Sequence, residues 1–179
     1  MCVTHSADAK CPSPGNFNYN YISFSGCDIR DWDFRPSMTF VGSNFFESKL
    51  IGADLSGIDF SSGIFIKTKL PDTVLNGTKF TNSFFYKVDM TNTEANSVDF
   101  QKATIWLVDF YRANLDDGNF SGSQIWSTSF KAVSARRTIF SEAEMGRVNF
   151  LDADLEGAVF CGATMPVEFI VETSRQYCR

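Results

Sequence analysis

An apolar residue stands at every fifth position from 40 to 165 without a gap, and this spacing constrains the fold more than any other sequence feature. Most of the chain's 19 phenylalanines lie on these positions. A period of five fits neither an α-helix, which repeats every 3.6 residues, nor a flat strand, which repeats every two. It predicts a chain that turns a corner every five residues. The central residue of each repeat and the residue two before it then point into a core.

A second period, of twenty residues, indicates how many repeats form one coil. Residues twenty apart match in type, and the clearest column consists of phenylalanine alone: Phe40, Phe60, Phe80, Phe100, Phe120, Phe140 and Phe160. Like residues therefore stack on like, and four five-residue repeats make one coil of a four-sided solenoid. Coils about 4.8 Å apart satisfy each other's backbone groups as parallel ladders, so each coil depends on its neighbours for stability.

The repeat also extends towards the N-terminus, shifted by one residue. Four more apolar residues follow the same spacing: Tyr19, Phe24, Ile29 and Phe34. We expect the extra residue near positions 35–36 to form a bulge at a corner, where a proline suits a turn that lacks a backbone donor. The sequence thus predicts an N-terminal tail or cap over residues 1–16, a repeat solenoid over 17–165, and a C-terminal cap over 166–179. A short helix is one option for the C-terminal cap.

Three segments carry a recognisable motif. Residues 53–57 read ADLSG, residues 113–115 read ANL, and residues 153–157 read ADLEG. These segments resemble the A(D/N)LXX signature of the pentapeptide-repeat family, and the resemblance covers at least residues 38–165. It implies an all-β fold: a right-handed quadrilateral parallel β-helix, here of about seven to eight coils with four repeats each.

The chain contains five cysteines, of which four lie near its ends. Cys161 directly follows a central residue and therefore points outward, where the C-terminal tail can reach it, so we predict a Cys161–Cys178 disulfide. Cys27 occupies an inward position and is expected to be a buried small apolar residue. Cys2 and Cys11 either pair with each other or stay free.

The predicted terminal disulfide bears on the compartment. A stable disulfide implies an oxidising environment. The pentapeptide-repeat family is abundant in cyanobacteria, and its exported members with terminal disulfide caps resemble this layout, which implies the periplasm or the thylakoid lumen. If the disulfide does not form, the cytoplasm is expected instead. Residues 1–16 lack the basic and then apolar pattern of a secretion signal.

The sequence contains no set of residues typical of an enzyme. Its single histidine, His5, lies in the N-terminal tail, and the inward positions are apolar nearly throughout, so no polar cavity is predicted. A metal site formed by Cys2, His5 and Cys11 matches no strong ligand template. We therefore expect a non-enzymatic protein with no catalytic residue, no cofactor and no metal.

The charges also exclude two classes of partner. A formal net charge of −5 disfavours direct binding to nucleic acid, which requires clustered Lys and Arg. No stretch approaches the roughly 20 apolar residues of a membrane span. Asp116 and Asp117 stand one coil before Arg136 and Arg137, with Glu156 a further coil on, and this pattern predicts a charge ladder between neighbouring coils.

One side of the predicted solenoid carries large apolar residues at outward positions. They stand immediately after or before a central residue on successive coils: Phe46, Ile64, Ile66, Phe84, Tyr86, Trp106 and Trp126. We call these seven residues the aromatic stripe, and Leu107 adds to the same side. The equivalent positions of another side are polar or charged. A contiguous exposed apolar patch of this kind is typical of a protein-interaction surface.

Two interpretations of the aromatic stripe involve binding, and two do not. The stripe binds either a second copy of the chain, as a homodimer, or a different protein. Alternatively, a terminal segment folds back across it, although residues 1–16 are mostly polar and would cover it poorly. A final alternative is that aromatic residues are present only because they favour strands.

The family resemblance suggests another kind of partner. Some pentapeptide-repeat proteins resemble an acidic, DNA-shaped rod and bind DNA gyrase. This chain departs from that pattern because no loop interrupts residues 40–165, its C-terminal segment is short, and basic residues are mixed with the acidic ones. A DNA-mimicking gyrase-binding protein is therefore the alternative to a structural or protein-interaction module.

Overall fold

The computed structural model describes residues 11–15 and 17–165, and these residues form an all-β parallel solenoid, as the repeat predicts. One side of the solenoid is a five-stranded parallel sheet in the order β1-β2-β3-β4-β5. Its strands are β1 (Ile64–Ile66), β2 (Phe84–Tyr86), β3 (Thr104–Trp106), β4 (Gln124–Trp126) and β5 (Glu144–Gly146). Each strand residue pairs with the residue twenty positions later, so consecutive strands belong to consecutive coils.

Single parallel bridges join the coils on the remaining sides. Asp59 bridges Lys79, for example, and Glu94 bridges Asn114, again twenty residues apart. The bridges of the first coil instead join residues 21 apart, as in Asn18 with Thr39. The extra residue is therefore absorbed between these two parts of the chain, where the amide of Met38 donates a hydrogen bond of 2.8 Å to the carbonyl of Arg35.

Every corner of the solenoid uses a left-handed backbone conformation. From position 42 to position 162, each residue two places after a central residue has a positive φ. Only some of these residues are glycine; the others include Ser62, Lys87, Leu107 and Ala132, with φ between 54° and 59°. No Val, Ile or Thr occupies such a position, because a β-branched side chain is poorly tolerated there.

This corner rule predicts that a β-branched residue is destabilising at Ser62 but not at its neighbour Ser61. Ser62 has a φ of 59°, whereas Ser61 does not have a positive φ. We expect Ser62→Val to lower the free energy of unfolding by about 1–2 kcal/mol, because left-handed backbone is costly for non-glycine residues. Ser61→Val is the matched control. Urea unfolding followed by circular dichroism measures both, and equal losses in the two variants would contradict the corner rule.

The core consists of stacked phenyl rings. The longest column stacks one ring per coil, with centroids 4.8 to 5.5 Å apart: Tyr19, Phe40, Phe60, Phe80, Phe100, Phe120, Phe140 and Phe160. Rings of neighbouring columns meet edge to face, as Phe65 does with Phe80 at 5.4 Å. Buried hydroxyls lie beside the rings and donate to backbone carbonyls; Thr68 Oγ1, for instance, lies 2.6 Å from the carbonyl oxygen of Phe45. The polar atoms that enter the core are thus satisfied.

The N-terminal end holds a disulfide that the sequence analysis did not predict. Cys11 is bonded to Cys27, with their Cα atoms 5.7 Å apart. The expected pairing of Cys11 with Cys2 is therefore wrong, and Cys27 is buried but not a free thiol. The physical reason is position: the inward side chain of the first coil has no coil before it, so the segment over 11–15 can reach it. The Tyr19 hydroxyl also holds this segment, donating to the Ser13 carbonyl at 2.9 Å.

The predicted terminal features fall mostly outside the described residues. Cys161 is disulfide-bonded, but Cys178, its predicted partner, is not among the residues described, so this pairing stays a prediction. The optional helix in the cap over 166–179 lies outside the described part as well, and so does most of the cap over 1–16. Within residues 11–15 and 17–165, no helix is long and apolar enough to cross a membrane.

Candidate interaction surface

The outer face of the sheet β1–β5 places the aromatic stripe. In each strand the middle residue is buried, and the residues on either side of it point outward. The parallel register sets Ile66, Tyr86, Trp106 and Trp126 side by side on successive coils. Phe46 continues the same row one coil earlier. The sheet therefore arranges the stripe as the five-residue spacing predicts.

The stripe is exposed to a degree unusual for large apolar side chains. Trp106 and Trp126 expose 45% and 42% of their surface, and Ile64 and Phe46 are similarly exposed. Ile66, Phe84 and Tyr86 are half-buried. The remaining exposed large apolar residues of the described part lie elsewhere, near the two ends: Phe17, Tyr21, Ile22 and Leu151. The segment over 11–15 is held at the first coil, so it does not supply the cover that one alternative interpretation requires.

A shallow groove of about 230 Å³ lies between the two tryptophans. It is lined by Trp106, Leu107, Trp126 and Ser127. Leu107 is 44% exposed, and its own backbone is in the left-handed conformation of a corner. Within the described residues, neither indole stacks on another ring and neither indole N–H donates a hydrogen bond. The groove thus offers apolar walls and two free donors, the combination that Trp supplies at binding hot spots.

Gly146 ends the row of large side chains. A Cβ atom placed on this glycine would lie 2.1 Å from Cζ3 of Trp126, so the indole of Trp126 covers the backbone of the next coil. A side chain at this position would displace the indole. The sequence analysis did not identify Gly146, although its place in the row directly after Trp126 was the available signal.

Charged residues border one edge of the stripe. Lys67 forms an ion pair with Glu47, with Nζ 2.8 Å from Oε1, and lies 5.5 Å from the centre of the Phe46 ring. Lys87 lies 5.3 Å from the centre of the Tyr86 ring. Exposed cation–ring contacts of this kind contribute about 0.5–1 kcal/mol each. They fix the two ammonium groups against the first half of the stripe.

The predicted charge ladder occupies a different side of the solenoid. Arg137 makes two hydrogen bonds to Asp117, at 2.6 and 2.8 Å, and Arg136 contacts Asp154 and Glu156 at 2.7 and 3.1 Å. The hydrogen bond from Arg137 lowers the pKa of Asp117, and the one from Arg136 lowers the pKa of Asp154. The same bonds raise the pKa of each arginine.

Asp116 differs from the other carboxylates of the ladder. Its Oδ1 accepts hydrogen bonds from the Ser134 hydroxyl at 2.6 Å and from the backbone amide of Arg136 at 2.9 Å. Asp116 therefore supports the neighbouring coil through the backbone rather than through a guanidinium. All these groups are explained by contacts between coils, so none of them is available as a catalytic pair.

No other place in the described residues combines chemistry with a cavity. None of their His, Cys, Asp and Glu side chains form a group of three or more that could hold a metal ion. A second cavity, of about 300 Å³, lies at the N-terminal end and is lined by Pro14, Gly15, Phe17, Asp33, Arg35 and Met38. Its two charged residues already pair with each other at 2.6 Å. His5 and Cys2 lie outside the described residues.

Comparison with known proteins identifies the repeat and the fold. A family model described as pentapeptide repeats matches residues 64–94 and 128–165 in eight copies. No functionally curated protein matches the sequence at a significant level. Among solved structures, a trypsin-treated variant of QnrB1, a plasmid-mediated fluoroquinolone resistance protein, is similar with a TM-score of 0.75 and 18% identity. The match covers 82% of this chain and 74% of that one.

A second solved structure is HetL, a pentapeptide repeat protein involved in the regulation of heterocyst differentiation in the cyanobacterium Nostoc sp. strain PCC 7120. It is 19% identical over 86% of this chain and 92% of that one, with a TM-score of 0.33. At these identities the similarity concerns the fold, and only the QnrB1 match has a TM-score that supports it.

Proposed function

Because this chain is a pentapeptide-repeat protein, we propose that it is a non-catalytic protein-interaction module that binds through the aromatic stripe. Proteins of this family are generally structural or interaction modules. The family alone does not specify a binding surface, so the proposal rests on the particular residues that this chain exposes.

The observation that carries the proposal is the exposure of the stripe on a flat, rigid sheet. Trp106 and Trp126 present free indole donors beside a groove, and Ile64 and Phe46 extend the apolar surface across the earlier coils. A soluble solenoid has no structural need for such residues at outward positions, because the ladder at the other sides is completed with Asp, Asn, Ser and Lys. Large apolar side chains in one contiguous patch indicate a surface that is covered in a complex.

The proposal predicts that Trp106→Glu with Trp126→Glu abolishes binding. The matched control is Gln101→Glu with Ser121→Glu, which makes the same charge change at the same repeat position of the same two coils, on the neighbouring side. We expect the wild type and the control to associate, with themselves or with a protein retained from an extract of the source cells, and the stripe variant to lose that association at least about tenfold. The measurements are solution mass by sedimentation equilibrium and quantitative retention on immobilised protein. Identical behaviour of all three proteins in both measurements would overturn the proposal.

Gyrase binding is the second candidate, favoured by the rod-like solenoid shared with QnrB1, a fluoroquinolone resistance protein. The charges speak against it, because Arg136 and Arg137 neutralise the carboxylates of the side that would have to imitate phosphates. A supercoiling assay tests this candidate. Inhibition of gyrase would support it, and no effect at a large protein excess would end it.

A further inference from the structure

The aromatic stripe is built to match a surface with the same repeat. Its side chains stand in three outward rows along the sheet β1–β5, and each row advances by one residue per coil. Neighbouring strands are about 4.8 Å apart, so only a partner with the same spacing can place a side chain between every pair of rows. A second copy of this chain has that spacing by construction.

Three rows carry the argument, each read from the first coil of the stripe to the last. The middle row consists of Phe46, Ile66, Tyr86, Trp106, Trp126 and Gly146. The row at the corner consists of Glu47, Lys67, Lys87, Leu107, Ser127 and Arg147. The row on the other edge consists of Asn44, Ile64, Phe84, Thr104, Gln124 and Glu144.

We propose that two copies of the chain pack stripe against stripe, with their solenoids antiparallel, around a two-fold axis that lies along the strands between the coils of Tyr86 and Trp106. This inference rests on the proposed function and names its partner. The axis brings each row opposite the same row of the partner, read in reverse. The sequence order of each row then decides whether the two surfaces fit.

The middle row is complementary in size under this arrangement. Phe46 lies opposite Gly146 of the partner subunit, where Trp126 already covers the glycine, so a ring meets a ring across the smallest position. Ile66 lies opposite the partner's Trp126, and Tyr86 lies opposite the partner's Trp106. A large side chain therefore never faces the largest one at its own level, as it would if Trp106 met its own copy.

The corner row is complementary in charge. Glu47 lies opposite Arg147 of the partner subunit, which adds an ion pair at each end of the interface. Lys67 and Lys87 lie opposite Ser127 and Leu107 of the partner, so no ammonium group faces another. A parallel arrangement would instead set these two lysines against Ile64 and Phe84 of the partner, without any opposite charge.

The third row fits in the same way. Ile64 and Phe84 lie opposite Gln124 and Thr104 of the partner, and Asn44 can donate to the carboxylate of the partner's Glu144. With three outward residues on each of six coils, each copy contributes about 18 residues, close to the lower end of the roughly 20–30 found in stable interfaces. The dimer is therefore expected to be reversible, with a dissociation constant on the order of micromolar.

Charge reversal at the predicted ion pair tests the arrangement. Sedimentation equilibrium of the full chain is measured for wild type, Glu47→Arg, Arg147→Glu and the combination of both. Each single reversal places like charges opposite each other at both ends of the interface, and we expect it to weaken dimerisation about tenfold or more. The combination restores opposite charges and should return the dissociation constant to near the wild-type value. Because Glu47 also pairs with Lys67 of its own chain, Glu47→Gln serves as the control, with a smaller loss than Glu47→Arg.

The outcomes separate this inference from the proposed function. If the single reversals have no effect while Trp106→Glu with Trp126→Glu abolishes the dimer, the stripe binds itself in another arrangement and the inference is wrong. A wild type that is monomeric at all concentrations also overturns the inference, and the proposed function is then decided by the retention measurement alone. A dimer that survives in the tryptophan variant contradicts self-association through the stripe altogether.

Discussion

Replacing Phe100 by alanine is expected to lower the free energy of unfolding by about 3–5 kcal/mol. Phe100 is completely buried in the middle of the longest ring column. It stacks between Phe80 and Phe120 at 5.0 and 4.8 Å and meets Phe85 and Phe110 edge to face at 5.3 and 5.9 Å. The cavity cannot collapse easily, because the coil spacing is fixed by the ladders above and below.

Urea unfolding followed by circular dichroism measures this loss, with Phe46→Ala as the control. Phe46 is the same residue type on the same solenoid, but it is 36% exposed and outside the core. We expect its replacement to cost about 1 kcal/mol or less, since little buried area is lost. Because a solenoid is stabilised by contacts between neighbours, the Phe100 variant should also unfold less cooperatively. Equal losses in the two variants would show that the ring column does not carry the stability.

Removing the Cys11–Cys27 disulfide is expected to destabilise the N-terminal end by about 3 kcal/mol, the value for a closed loop of about this length. The two cysteines are 16 residues apart, and the bond fixes the segment over 11–15 to the first coil. Cys11→Ser removes the bond while leaving the buried side chain of Cys27 in place. Substitution is preferable to a reducing agent, because Cys161 is disulfide-bonded as well.

Amide hydrogen exchange localises the effect. In Cys11→Ser, the amides of the first coil, including that of Tyr19, should lose protection, while the amide of Phe100 in the central coils stays protected. The two amides make comparable ladder hydrogen bonds of 2.8 and 2.7 Å, so the comparison is fair. Unchanged protection at Tyr19 would mean that the disulfide does not hold the end of the solenoid.

Much of the fold can be predicted from the sequence, because the repeat is a direct record of the core. The twenty-residue column from Phe40 to Phe160 appears in the structure as a stack of rings, since residues one coil apart must lie one strand spacing apart. The same phase also placed Trp106 and Trp126 on the outside, where the structure has them. Periodicity thus determines which side chains point inward and which point outward.

The features that were missed do not follow from periodicity. The Cys11–Cys27 bond depends on the path of a segment that precedes the repeat, and no pattern fixes that path. The contact between Trp126 and Gly146 depends on which way an indole leans across the neighbouring coil. The left-handed corner at Leu107 is hidden because a leucine there looks like an ordinary apolar residue.

The most direct test of the account is the fluorescence of the stripe itself. The chain has three tryptophans, and Trp32, which lies 5.5 Å from Tyr19 at the first coil, can be replaced by phenylalanine. In that variant, all tryptophan emission comes from Trp106 and Trp126. We predict that the emission maximum shifts to shorter wavelength with rising protein concentration, in parallel with the increase in solution mass, because the indoles leave water. An emission maximum that stays at the position of exposed indole while the mass doubles would contradict the account.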